Sequence, residues 1–313
     1  MRQVKNHPPK LTRRLRLLTL LTIATVLGTS AFPLSGTATA ASANPGPGSL
    51  RTLLPESVQK QGFIRVASLN DLPPWDYTVG SAFTGIDVDL TNAMAKLLGV
   101  SFQYENIAFT GEIPGLEAGR FDLIIDEIGD TAEREAVINF VDYSTDASAI
   151  IVKSGNPDHI ATINDLCGKS VVAIPASVPY TQAQAQSAKC TAAGKPPITL
   201  ITNTSPTGCY LAVASGRAAA TLNGYSTAAF AIKRGGVTRG LELLDYLFGP
   251  GVNGFAFTKS NHQLGLAVQS ALNAIMKNGQ YATIMKSWGV SALSLPKATI
   301  NGSAAYLAAH PSA

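Results

Sequence analysis

Apolar and polar positions along this chain fall into blocks whose period keeps changing. Phe63 to Leu69 reads as a strand, Leu90 to Leu98 as a helix opened by an Asp89 N-cap and stopped by Gly99, and Ser101 to Asn106 as a second strand. A short helix around Ile113 to Ala118, a strand from Phe121 to Ile125 and a helix from about Thr131 complete a first series. A second series has strands at Ser170 to Ile174, Ile198 to Ile201, Ala218 to Thr221 and Leu241 to Leu244. Helical stretches near Tyr180 to Ala193, Ser205 to Ser215 and Tyr225 to Arg234 separate them. A strand from Gly254 to Thr258 follows, then a helix with Leu264, Val268, Leu272, Ile275 and Met276 on one face. Such alternation specifies an α/β fold with helices on both sheet faces. About 250 ordered residues exceed what one small core needs, so two lobes are expected. The residues after Val290 carry little charge and are expected to form a flexible tail, 291–313.

The N-terminus has a different character. Six basic residues (Arg2, Lys5, Lys10, Arg13, Arg14, Arg16) precede an apolar core from Leu17 to Leu27, and Ala38-Thr39-Ala40 ends a small-residue region. This is the layout of a secretory signal peptide, 1–40, cleaved near Ala40 and followed by a linker, 41–49. An apolar core of eleven residues is short of the roughly 20 that a membrane span needs. Arg13-Arg14 leaves a twin-arginine export route open. Cleavage removes six of the 24 basic residues and none of the 20 acids, so the mature chain is near −2. The basic balance belongs to the leader, and no patch remains that argues for nucleic acid. With no cysteine before Cys167, a lipid-modified cysteine after the signal is excluded.

Three cysteines in an oxidising compartment allow at most one intramolecular bridge. Cys209 sits in an apolar helical context, whereas Cys167 and Cys190 flank one strand-helix unit in loop-like surroundings. Cys167 with Cys190 is the expected pair, worth roughly 3 kcal/mol on the loop-entropy model. His7, His159, His262 and His310 are scattered and suggest no metal cluster. Glycine-rich segments such as Gly249-Pro250-Gly251 lack a phosphate-loop pattern and read as hinge turns, so no cofactor is expected.

The stretch Phe121 to Arg134 begins as a buried strand and then turns acidic at Asp126, Glu127, Asp130 and Glu133. Acids at the carboxyl end of an apolar strand stand where open α/β sheets place their ligand crevice. Adjacent side chains on a strand end point to opposite sides, so one of Asp126 and Glu127 is expected to face a ligand. The alternative is that both cap the following turn or stay solvated.

From Gly62 to Gly289 the chain resembles the extracytoplasmic solute-binding proteins that serve ABC transporters for polar amino acids. The resemblance rests on GFIRVAS, LPPWDY, GIDVDLTNAMAKLLGV, IPGLEAGRFDLII, TAER, DLCGKSVVAIPAS, SGRAAA and NGQYATIMKSWGV, in that order. It implies a two-lobed periplasmic-binding-protein fold, type II-like, with two hinge strands and a ligand in the cleft. Lobe 1 would be 50–147 plus 252–290 and lobe 2 would be 150–246. A membrane permease would be the partner, and the protein would be a monomer.

The resemblance also implies roles for single residues. Arg134 matches the arginine that grips a ligand carboxylate with its planar fork; the alternative is a surface pair with Asp130. Phe109 matches an aromatic wall of the pocket and Trp75 stands beside another, with core packing as the alternative for both. Ala176 and Ser177 match a turn whose amide and hydroxyl meet the carboxylate, while Ser177 could equally be a plain N-cap. Gly129 belongs to the same expected ligand set. Asp87 and Asp89 match as helix-capping residues without a ligand role.

The chain departs from the family pattern at informative places. Asp126 and Glu127 replace small or hydroxyl residues, the lobe-2 acid that holds the α-amine falls on Gly224, and Leu72 stands where tyrosine is frequent. Asp126 and Glu127 are therefore expected to replace the missing lobe-2 acid and read a cationic group. A rival reading is a dehydratase on this fold, acting on a prephenate-like acid with Glu127 as general acid.

Overall fold

The structure, a computed structural model, describes residues 46–310; the expected signal peptide and its cleavage point lie outside the described residues. Helix α1 (Glu56–Gln61) leads into β1 (Phe63–Ser68), and β2 (Asp71–Leu72), β3 (Asp76–Val79) and β4 (Ala82–Thr84) form a small antiparallel sheet. Next come α2 (Ile86–Leu98), β5 (Ser101–Asn106), α3 (Phe109–Glu117), β6 (Leu123–Ile124), β7 (Gly129–Asp130), α4 (Ala132–Glu135) and the long β8 (Ile138–Lys153). A second series holds β9 (Ser170–Ala173), α5 (Val178–Ala192), β10 (Thr199–Thr202), α6 (Pro206–Ala214), β11 (Ala220–Gly224) and α7 (Tyr225–Arg234). The long β12 (Leu241–Thr258), α8 (His262–Lys277), α9 (Gln280–Ser287), β13 (Ser294–Ile300) and α10 (Ser303–Ala309) follow.

The two long strands organise everything else. Their antiparallel pairing runs from Ile138 opposite Thr258 to Lys153 opposite Leu241. At one end β12 continues through β6 to β1 and β5; at the other, β8 continues through β11 to β9 and β10. This is the two-lobed fold with two hinge strands. Burial along β8 marks the crossing, because Ile138 to Ser144 and Ser148 to Val152 are almost all buried while Thr145 to Ala147 are only half-buried. In β12 the register shifts between Leu243 and Leu247, between Phe248 and Gly251, and between Asn253 and Gly254. Gly249-Pro250-Gly251, expected as hinge turns, lies inside β12 at the register shift between Phe248 and Gly251, with Gly249 at a φ of 56°.

Each lobe has an apolar layer on both faces of its sheet. On the first, α2, α8 and α9 cover one face, with Leu90, Met94, Leu264, Val268, Leu272 and Ile275 buried as their helical spacing demands. Leu116, Phe121, Ile124 and Phe140 fill the other face. Helix α2 begins at Ile86, earlier than the pattern suggested, so Asp87 and Asp89 lie in its first turn and cap nothing from outside. Tyr143 instead donates its hydroxyl to Asp87 Oδ1 at 2.6 Å, and Trp288 Nε1 donates to Asp89 Oδ2 at 2.8 Å. Gly85 permits that early start: its φ is 131°, and a Cβ there would overlap the carbonyl oxygen of Trp75. A disulfide joins Cys167 to Cys190 with Cα atoms 5.6 Å apart, and Cys209 is free and buried.

The expected flexible tail is corrected by the structure. β13 pairs with β8 through Ser144, Asp142 and Val141, and α10 packs beyond it. Low charge does not signal fraying here, because the segment finds specific partners. Ala298 is buried, its amide donates to Asn273 Oδ1 at 2.9 Å, and its carbonyl accepts from Gln269 and Asn273.

Candidate functional site

The lobes enclose a cavity of about 500 Å³, within the usual range of small-molecule sites. Of the residues expected to bind a ligand, Phe109, Asp126, Glu127, Gly129, Arg134, Ser177 and Gly224 border it, and Trp75 and Ala176 do not.

Arg134 is placed by a short helix. Thr131 caps α4, its hydroxyl accepting the Arg134 amide at 3.3 Å, and the side chain turns back over β7. Arg134 Nη1 donates to the Gly129 carbonyl at 2.6 Å and Nη2 donates across the cleft to the Ala176 carbonyl at 2.8 Å. The guanidinium lies 5.6 Å from the Phe109 ring centroid, a cation–π contact. Two of its five N–H groups are thus engaged, and among the described residues no carboxylate pairs with it. The alternative pairing with Asp130 does not form, because Asp130 Oδ2 accepts the Ser303 amide instead. Burial pulls the guanidinium down to about 10, still charged at neutral pH, with Glu112, Asp130 and Glu133 opposing the shift.

Asp126 and Glu127 diverge. Glu127 has a φ of 48°, a left-handed conformation uncommon outside glycine, which turns the chain sharply between the two acids. Asp126 is 1% exposed and bonds inward, its Oδ1 accepting the Leu69 amide at 3.1 Å. Burial raises its carboxyl well above the usual range, and the neighbouring Glu112 carboxyl adds to the effect. Glu127 reaches the other lobe: its Oε2 accepts from Thr227 Oγ1 at 2.9 Å and its Oε1 lies 3.1 Å from Ser226 Oγ. Ser226 also lies 2.6 Å from Asp146 Oδ2, and its oxygen accepts from Trp75 Nε1 at 2.7 Å. One hydroxyl hydrogen serves one carboxylate, and the shorter contact assigns it to Asp146. Burial, then the adjacent Asp146 charge, hold Glu127 well above the usual carboxyl range.

Gly224 explains the space these acids use. A Cβ at Gly224 would lie 3.0 Å from Glu127 Oε1 and 3.1 Å from Asp146 Oδ2. Two carboxyl oxygens from outside β11 thus converge on the place where a side chain from β11 would begin. Asp146 escaped the sequence reading, although an acid at the crossing of β8, between apolar runs, was the available signal.

For two residues the geometry fits the alternative reading. Trp75 is fully buried in the lobe core, edge-on to Tyr143 at 5.8 Å, and its indole N–H is engaged by Ser226, so it is a lobe-to-lobe strut rather than a pocket wall. Ser177 is committed as the α5 N-cap: its Oγ accepts the Tyr180 amide and donates to the Ile174 carbonyl, which also takes the Ser177 amide. Pro179 removes a further donor from that helix end. Ala176 contributes its carbonyl to Arg134 and nothing to the cavity lining.

Among the described residues, no group of histidine, cysteine and acidic side chains is arranged to hold a metal. No described helix is long and apolar enough to cross a membrane. In all, five carboxyl side chains (Asp126, Glu127, Asp130, Glu135, Asp146) and one guanidinium border the cavity.

Known proteins share this framework. The arginine-binding protein ArgT of Corynebacterium glutamicum is 26% identical over 255 residues, 80% of this chain and 82% of its own length. The structure of an ancestral arginine-binding protein bound to arginine superposes with a TM-score of 0.67 at 27% identity, over 73% of this chain and 98% of that one. An ancestral amino acid-binding protein, a precursor of cyclohexadienyl dehydratase, gives 0.67 at 27% identity, over 76% and 99%. The model of the bacterial extracellular solute-binding proteins, family 3, matches residues 64–291, a span that takes in both lobes and both long strands, and the chain belongs to that family.

Proposed function

We propose that the protein captures an amino acid carrying a positively charged side chain, or a related cationic amine, outside the cytoplasm and delivers it to a membrane permease. The observation that carries this reading is the convergence of Glu127 and Asp146 on the vacant side-chain position of Gly224, in the same cavity as a guanidinium with no carboxylate partner among the described residues. Arg134 takes the ligand's carboxylate with its free donors. Glu127 and Asp146 take an ammonium group, Glu127 giving up the proton that its burial and the adjacent Asp146 charge favour. The five carboxyls that border the cavity outnumber what a single α-amine can pair with, and a second positive charge on the ligand would find acceptors that release their protons to it. The arginine-binding names among the relatives support the same ligand class.

The test is calorimetry and thermal shift with L-arginine, L-lysine, L-glutamine and agmatine, which lacks the carboxylate. L-Arginine or L-lysine should bind most tightly and raise the melting temperature, and agmatine should bind far more weakly. Failure of every amino acid to bind would sink this reading. Incubation with prephenate or arogenate checks the dehydratase alternative, and turnover would establish it.

A further inference from the structure

The family match ends at residue 291, yet the chain continues into β13 and α10, and the added segment reaches the cavity. Ser303, Ala304 and Leu307 of α10 border the same space as Arg134, Glu127 and Asp146. We propose that this C-terminal segment is a wall of the ligand site that selects for length, seating the aliphatic stem of a long cationic amino acid against Ala304 and Leu307. The inference rests on the function proposed above and adds to it a set of specificity-determining residues beyond the family match.

Three observations support the assignment. The segment is anchored firmly: Asp142 Oδ2 accepts the Gly302 amide at 2.6 Å and the Thr299 hydroxyl at 3.2 Å, and Asp130 Oδ2 accepts the Ser303 amide at 3.3 Å. Asp130 itself borders the cavity and follows Gly129, whose carbonyl orients Arg134, so one short strand positions both the wall and the guanidinium. Finally, the anchors all lie on the Arg134 side of the crossing. Asn301 Oδ1 accepts the Phe140 amide at 2.8 Å, Asn301 Nδ2 bonds Asn139 at 3.0 Å, and Ala298 is held by Asn273. When the lobes part, the wall therefore stays with Arg134 and keeps its distance from the carboxylate grip.

Leu307 is 45% exposed, and Ala304 is also at the surface, so both can be changed without opening the lobe core. Ala304→Trp and Leu307→Ala are compared with wild type and Arg134→Ala by calorimetry, using L-arginine and the short homologue L-2,3-diaminopropionate, with melting curves as fold controls. Ala304→Trp should weaken L-arginine at least tenfold while changing the short homologue little, and Leu307→Ala should narrow the preference for L-arginine severalfold. If both variants bind L-arginine as wild type does while Arg134→Ala loses it, α10 is outside the site and the wall is disproved, with the amino acid reading intact. If wild type binds neither probe nor any other amino acid, both fall together.

Discussion

Arg134 Nη2 donates to the carbonyl of Ala176 at 2.8 Å, a hydrogen bond that joins the two lobes beside the cavity. The side chain therefore both braces the cleft and presents its spare donors to whatever enters. Arg134→Ala should weaken carboxylate-bearing ligands at least a hundredfold, about 3 kcal/mol, because a charge-assisted fork is lost in a desolvated site. Arg134→Lys keeps the charge without the fork and should fall between. Calorimetry with L-arginine, beside melting curves of the ligand-free proteins, separates this from general damage.

Glu127 and Asp146 should act as a pair. Glu127→Gln and Asp146→Asn are each expected to weaken L-arginine roughly tenfold or more, with the double variant costing less than the product of the two. Gly224→Asp alone should bind poorly, since a Cβ already meets both acids within about 3 Å and its carboxylate would add a like charge. Combining Gly224→Asp with Glu127→Gln should recover part of the lost affinity in a titration. No recovery would show that the acid's position, rather than its presence, is what matters.

Stability of the ligand-free protein should fall as pH rises. Burial lifts Glu112 from 4.5 to about 8 and Asp130 from 3.8 to about 9, and the Asp142 charge adds to the Asp130 shift. Between the unfolded and folded values the native state holds more protons than the unfolded chain. Each such carboxyl then stabilises fully below about pH 4 and loses that contribution progressively up to its folded value, at a limiting slope of about 1.4 kcal/mol per pH unit. Melting temperatures in the absence of ligand should decline from pH 5 to pH 8. L-Arginine binding should show the opposite trend, strengthening with pH as Glu127 gives up a proton, and calorimetry in buffers of different ionisation enthalpy should count that proton. A flat melting profile over this interval would mean the buried carboxyls find partners in water.

Replacing Cys167 and Cys190 together by serine should cost about 3 kcal/mol, from a closed loop with sequence separation 23. Neither residue borders the cavity, so ligand affinity measured well below the new melting point should be unchanged. Thiol counting of the unfolded wild type should find Cys209 alone reactive.

The sequence made some of this legible and hid the rest for identifiable reasons. Strand β5 and helix α7 match their expected bounds because alternation and caps there are local signals. The long β8 was hidden, since Asp142 to Asp146 is polar in a strand buried on both sides; those polar groups find partners such as Gly302 and Ser226 far along the chain. β12 was seen as two strands, because its middle carries the glycines and proline that usually end one. In the site, the placement of Arg134, Phe109 and Gly224 at the cavity was readable by resemblance. That Glu127 rather than Asp126 crosses the cleft depends on one left-handed residue, which no local pattern announces. Asp146 and α10 join the cavity only through tertiary contacts.

The side-by-side passage of β8 and β12 between the lobes governs how the jaws can travel. Two hydrogen-bonded ribbons clamped edge to edge behave like a leaf spring, yielding across their shared plane and resisting torsion. Bending at Thr145 to Ala147 and at the irregular pairs of β12 separates the jaws along a single arc. Each return then brings Arg134 back to Ala176, and Glu127 to Ser226, in the same alignment.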